Sequence, residues 1–185
     1  MVKLLIATNN PGKLREYQEI LADLPVELVS PADSGLTLDP EETGSTFEEN
    51  AIIKSQAFAQ ASGLLTLADD SGLEIDALHG EPGVYSARYG NTAKKDHAGR
   101  YQLVLEKLAD TPADERTARF KCVVALAIAA TVVGTAEGAV EGVITGEPKG
   151  DGGFGYDPIF LVPEFGRTMA QLTSEKNAPS LATGC

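Results

Sequence analysis

The chain opens with a short apolar stretch, residues 3–7, and passes at once into Thr8-Asn9-Asn10-Pro11-Gly12-Lys13 before a helical pattern takes over. A strand that feeds a polar turn and then a helix begins a β-α unit, and repetition of that unit builds a sheet covered by helices. The first turn of a helix has N–H groups with no intrahelical acceptor. Set beside two amides, a hydroxyl and an ammonium, such a turn suits a phosphate. Asn10 fits the cap position and Pro11 the first helical position. The turn is not a P-loop, since only Gly12-Lys13 of that pattern is present, and it is not a dinucleotide fingerprint. Taken alone, it reads better as a well-capped helix start.

The rest of the chain continues the alternation. Leu14, Tyr17, Ile20 and Leu21 fall on one helical face, and the helix should stop before Pro25. Residues 26–29 read as a strand, followed by an irregular acidic stretch, 33–44. Thr46 and Glu49 form a capping box that opens a helix carrying Phe47, Ala51, Lys54 and Phe58 and closing at Gly63. Residues 64–68 are a strand whose C-terminal edge runs into Asp69-Asp70-Ser71-Gly72, where Ser and Gly would let a loop turn tightly. A further apolar segment, 73–78, precedes a loop with His79, Pro82, Tyr85 and Arg88, then a helix over 94–108. Residues 119–130 and 132–144 read as long paired strands with Gly134 near the turn, although the alanines of the first also favour helix. A glycine-rich loop, 150–158, leads to apolar residues 159–162 and a helical piece starting near Thr168. The reading is a single α/β domain over residues 1–185.

At 185 residues, with 43% hydrophobic and 23% charged residues, the chain can bury a core without staples. A formal net charge of −12 excludes a nucleic-acid surface, which needs many Lys and Arg on one face. It still allows a small phosphorylated ligand, because a local nest of N–H groups, a lysine and a divalent cation reverse the field at one site. No apolar run approaches the roughly 20 residues of a membrane span, and no signal or transit peptide is visible, so a cytoplasmic protein is expected. Cys122 lies in an apolar run and Cys185 ends the chain, a spacing that points to neither a disulfide framework nor a zinc site.

Beyond the opening turn, three groups of residues could carry chemistry. Asp69 and Asp70 suit a hard cation such as Mg²⁺, which takes oxygen ligands shared with phosphates; as plain acids they would only end a strand in solvent. Glu41 and Glu42 precede a helix start, where the dipole alone favours acids. Phe154 and Tyr156, spaced by glycine in a flexible loop, could stack on a base or fold back onto the domain. His79 and His97 lack a partner spacing for metal binding or a triad and receive no role.

The ordered set T-N-N-P-G-K, E-E-T-G-S-T-F-E-E-N-A, A-D-D-S-G-L, G-V-Y-S-A-R-Y and G-G-F-G-Y-D-P-I-F resembles the inosine triphosphate pyrophosphatase family. The resemblance runs from Lys3 to about Asn177. It implies an elongated mixed β-sheet flanked by helices, in two lobes with a deep active-site cleft. It also implies Mg²⁺-dependent hydrolysis of non-standard purine nucleoside triphosphates (ITP, dITP, XTP) to the monophosphate and pyrophosphate, usually by a homodimer. Carried over by position, Thr8, Asn9, Asn10, Pro11, Gly12 and Lys13 would cradle the triphosphate, with Lys13 opposing charge that develops in cleavage. Glu41 and Asp70 would hold Mg²⁺, and Asp70 would also orient or deprotonate the attacking water. Ser71 would touch the nucleotide, and Asp69 would shape the same loop. Phe154, Gly155, Tyr156 and Asp157 would form the base pocket, closed by Lys176.

The likeness breaks at the C-terminus. Family members follow K-N-A with a Ser-His-Arg motif whose His and Arg read the purine 6-oxo edge. Here Lys176-Asn177-Ala178 is followed by Pro179, Ser180, Leu181 and Ala182, and neither Leu181 nor Ala182 has a side-chain donor. Loss of those donors predicts weaker base selectivity, and the alternative function is a nucleotide-binding but catalytically impaired family member. A smaller departure is Gly99 where the family commonly has Asn, expected to loosen a helix start.

Overall fold

The computed structural model describes residues 1–93 and 95–173. Seven strands form one mixed sheet in the order β2-β1-β3-β4-β5-β6-β7. Strand β1 (Val2–Ile6) pairs in parallel with β2 (Val26–Val29), Leu4 opposite Leu28, and with β3 (Leu65–Ile75), Leu5 opposite Thr66. Leu4, Leu5 and Ile6 are all buried, the continuous apolar run expected of a parallel strand covered on both faces. β4 (Thr117–Ile128) and β5 (Thr131–Ile144) form the long hairpin, and β6 (Phe160–Val162) and β7 (Arg167–Thr168) add antiparallel pairs beyond β5. The helices are α1 (Pro11–Ile20), α2 (Phe47–Ser62), α3 (His97–Lys107) and α4 (Met169–Thr173). An α/β architecture with a mixed sheet and flanking helices is what the sequence predicts.

The chain divides into two compact units. Among the described residues, one takes in 1–70 and 122–138, the other 71–121 and 139–173. In the first, Leu5, Ala7, Val29, Phe58 and Ala68 form a core on which Leu36, Leu38 and Leu64 pack. Burial of Phe58 alone contributes about 2–3 kcal/mol. In the second, Leu73, Ile75, Tyr89, Val104, Leu108, Ile144, Ile159 and Phe160 lie in one cluster, with Phe120 tilted against Phe160 at 4.7 Å between ring centres.

Local signals place most boundaries. Thr46 accepts the N–H of Glu49, and Gly63 caps the other end of α2 in the left-handed region at φ 70°. The Glu49 carboxylate reaches the N–H and hydroxyl of Ser45, one residue before the cap. Three expectations need correction. Asp69-Asp70-Ser71-Gly72 is not a loop at a strand edge but the middle of β3, because both acids are buried and partnered there. The hairpin turns at Ala129 and Ala130, and Gly134 lies inside β5. Gly99 does not loosen α3: Asp96 accepts its N–H at 2.8 Å, and a Cβ at 99 would lie 2.3 Å from that carboxylate. Small side chains settle the helix-or-strand ambiguity of β4, where Ala118, Ala125 and Ala127 are fully buried. Cys122 is buried in β4, and Cys185 lies outside the described residues.

Candidate active site

Thr8, Asn9 and Asn10 lie between β1 and α1, and Pro11, Gly12 and Lys13 open α1, as the sequence predicts, but the turn ties itself down. Thr8 Oγ1 accepts the N–H of Asn10 at 3.1 Å, and Asn10 Oδ1 accepts that of Gly12 at 2.8 Å. Two N–H groups expected to point outward thus serve the turn's own side chains. Asn9 donates to the carbonyl of Leu38 at 3.3 Å, joining the turn to the acidic stretch.

Lys13, one helical turn before Tyr17, ion-pairs with Asp69, and Tyr17 also hydrogen-bonds to Asp69. Asp69 therefore organises two α1 side chains from its place in β3. Burial works to lower the pKa of Lys13, but Asp69, by charge and by hydrogen bond, together with Asp70 and Glu16, carries it above its ordinary value. Lys13 stays fully charged. Burial and the neighbouring carboxylate push the Tyr17 hydroxyl well up, so it acts only as a donor to Asp69.

Asp70 occupies the next β3 position. Its Oδ2 accepts from Asn50 Nδ2 at 3.0 Å, and its Oδ1 lies 3.5 Å from Lys54 Nζ. Lys54 also pairs with Glu42 at 3.0 Å, so one half-hidden ammonium stands between two carboxylates. Burial raises the Asp70 pKa above the ordinary carboxylate value, Lys54 and Asn50 pull it back, and Glu42 adds to the rise. Asn50 and Lys54 were not singled out for the site by sequence. Their signal was present: four apart in α2, they share a helical face that carries polar groups into buried surroundings.

The donor set bears on Mg²⁺. Among the described residues no group of three or more His, Cys, Asp or Glu side chains could by itself hold a metal. Mg²⁺ commonly takes only one or two protein carboxylates and fills its remaining positions with water and substrate phosphate. Asp70 and the Glu41-Glu42 loop fit that pattern. Glu42 carries the described link to Asp70 through Lys54, while Glu41 is exposed.

Within the second unit, Ser71 is exposed in β3 and residues 150–158 form the glycine-rich loop. Tyr156 is buried in the core of that unit, its hydroxyl donating to the Ser86 carbonyl at 2.8 Å. Burial pushes its pKa well up. Phe154 is the outward ring, 59% exposed. Asp157, also buried, accepts the N–H of Phe154 at 2.8 Å and so holds the loop that displays it. Gly153 lies at φ 71°, and a Cβ there would come within 2.0 Å of the Asp157 carboxylate, so the loop requires glycine. Gly155 also has positive φ. Lys176, with Ser180, Leu181 and Ala182, lies outside the described residues.

Residues 4–181 match the Ham1 family. The chain is 51% identical over 178 residues to a dITP/XTP pyrophosphatase of Bacillus subtilis, covering 96% of this chain and 89% of that one. It is 50% identical over 177 residues to a dITP/XTP pyrophosphatase of Thermus thermophilus, covering 96% and 84%. The fold superposes on the Ham1 protein of Staphylococcus aureus with a TM-score of 0.84 at 43% identity, over 95% of this chain and 88% of that one. A HAM1 protein from Coxiella burnetii gives 0.84 at 45% identity, over 93% and 87%. Matched over nearly its whole length in both sequence and fold, the chain belongs to the Ham1 family.

Proposed function

We propose that this protein is a Mg²⁺-dependent nucleoside triphosphate pyrophosphatase that hydrolyses dITP, XTP and ITP to the monophosphate and pyrophosphate, as a homodimer in the cytoplasm. The observation that carries the reading is Asp70: a buried carboxylate with raised pKa, flanked by Lys13 and Lys54, in a chain half identical to proteins named for this activity. A raised pKa makes Asp70 a stronger base than an exposed carboxylate, suited to take a proton from water at neutral pH. The water oxygen bonds to the α-phosphorus, the bond from that phosphorus to the α–β bridging oxygen breaks, and its electron pair leaves with pyrophosphate. Lys13, held ready by Asp69, and Lys54 oppose the negative charge gathered on the phosphate oxygens. Bound Mg²⁺, held by Asp70 and the Glu41-Glu42 loop, would neutralise triphosphate charge and lower the pKa of nearby water. By the family resemblance, Ser71 and the Phe154 ring would meet the nucleoside.

Pyrophosphate release from dITP, XTP, ITP, GTP and ATP, with Mg²⁺ and with excess chelator, tests this. The expected result is metal-dependent release at least about tenfold faster from dITP, XTP and ITP than from GTP and ATP. No release by a folded protein sinks the reading. Leu181 and Ala182, which cannot donate to a purine 6-oxo group, favour a second one: a member that binds nucleotides with weak turnover or selectivity. Equal rates on ITP and ATP, or binding without release, would establish that alternative.

A further inference from the structure

Asn50 has no exposed surface, and neither the phosphate turn nor the base loop accounts for it. Its side chain makes two described bonds. Oδ1 accepts the backbone N–H of Gly44 at 2.8 Å, and Nδ2 donates to Asp70 Oδ2 at 3.0 Å. These bonds determine one another. The Gly44 N–H needs an acceptor, so the carbonyl end of the amide faces the loop and the NH₂ end must face the carboxylate. Its backbone N–H bonds to the Thr46 carbonyl at 3.2 Å, which fixes the residue in the first turn of α2.

Gly44 stands two residues after Glu42. A Cβ at position 44 would lie 2.7 Å from Asn50 Oδ1 and 2.6 Å from Glu49 Cβ, so only glycine lets the backbone come this close. The amide is therefore the far end of a tie that begins at the acidic loop and ends on Asp70. On the other side of the carboxylate, Oδ1 faces Lys54, which is itself paired with Glu42. The loop thus reaches Asp70 by two routes, one through each carboxylate oxygen.

We infer that Asn50 is a positioning residue: it keeps Asp70 Oδ2 engaged, orients the carboxylate so that Oδ1 is presented on the Lys54 side, and holds the acidic loop in register with it. The inference rests on the pyrophosphatase reading for the role of Asp70, though not for the tie itself. A buried polar group loses its bonds at a cost, so a purely structural asparagine would also be missed on removal. What separates the two roles is where the loss appears.

The test uses the whole chain with the substitution Asn50→Leu, which keeps the number and branching of heavy atoms and deletes both bonds. Outer-shell partners of metal-site carboxylates are commonly worth 10- to 100-fold in activity, so kcat on dITP should fall by about that factor, with KM changed by less than about twofold. A folded variant with unchanged kcat and only a lower melting temperature overturns the proposal. The second measurement does not use turnover: side-chain amide resonances and hydrogen exchange of Asn50 in the unsubstituted chain and in Asp70→Ala. A protected NH₂ pair that shifts and loses protection in Asp70→Ala supports the tie, including where Asn50→Leu fails to fold. An amide that exchanges as if in solvent overturns it. If the unsubstituted chain releases no pyrophosphate from dITP, XTP or ITP, the proposed function fails while the amide measurement still judges Asn50.

Discussion

Two clusters of paired acidic and basic side chains, one in each unit, hold their carboxylates to opposite effect. In the first, Asp69 and Asp70 are buried in β3 beside Lys13 and Lys54. In the second, Arg119 of β4 pairs with Asp76 at 3.0 Å and Glu141 of β5 at 3.0 Å, where Asp76 is 47% and Glu141 68% exposed. Hydrogen bonds from Thr117 and Arg119 hold the Asp76 carboxyl below the ordinary range, whereas burial holds that of Asp70 above it. A carboxylate that water still reaches gains from its partners. One that water has left stays costly despite two lysines, and such a cost persists where charge is used.

The comparison breaks first at Asp70. Asp70→Asn should lower kcat by about 10³-fold while the protein stays folded, read by pyrophosphate release and circular dichroism. It should also reveal the cost. Folded Asp70 binds its proton more tightly than the unfolded chain does, so the fold loses stability as pH rises through the interval between the two pKa values. Asparagine escapes that loss. The variant should therefore melt at least as high as the native chain at about pH 7, with the difference vanishing below about pH 4. A lower melting temperature at neutral pH alone would place Asp70 with Asp76, as a carboxylate stabilised by its partners.

A smaller effect sharpens the picture inside the first cluster. Tyr17→Phe removes the hydroxyl on Asp69 and should reduce kcat/KM by about 3- to 10-fold through Lys13. Unchanged kcat/KM would mean that Asp69 holds Lys13 unaided. The smallest effect belongs to the second cluster. Arg119→Gln should leave turnover unchanged and cost less than about 1 kcal/mol in denaturant unfolding. Lost activity there would end the contrast.

Signals confined to neighbouring residues were legible in the sequence. The T-x-x-E box and Gly63 bracket α2, and Asn10 with Pro11 begins α1, since each acts within one helical turn. The D-D-S-G run misled for the same reason: its composition favours a turn locally, and only partners 20 and 56 residues away, Asn50 and Lys13, make a strand interior tolerable for two acids. Tyr156 shows the converse. Spaced like Phe154, it belongs to the core because a carbonyl 70 residues away takes its hydroxyl. Glu42 and Lys54 became distinguishable from Glu41 and the other lysines only through distances.

That division of labour within the glycine-rich loop has an optical consequence. The loop shows one ring to solvent and keeps the other anchored, and the chain has no tryptophan. An indole placed by Phe154→Trp would be the sole emitter of its kind, on a backbone whose shape Asp157 and Gly153 maintain. Under the proposed function, its emission would follow the arrival and departure of a purine at that loop in real time, separately from the bond-breaking step.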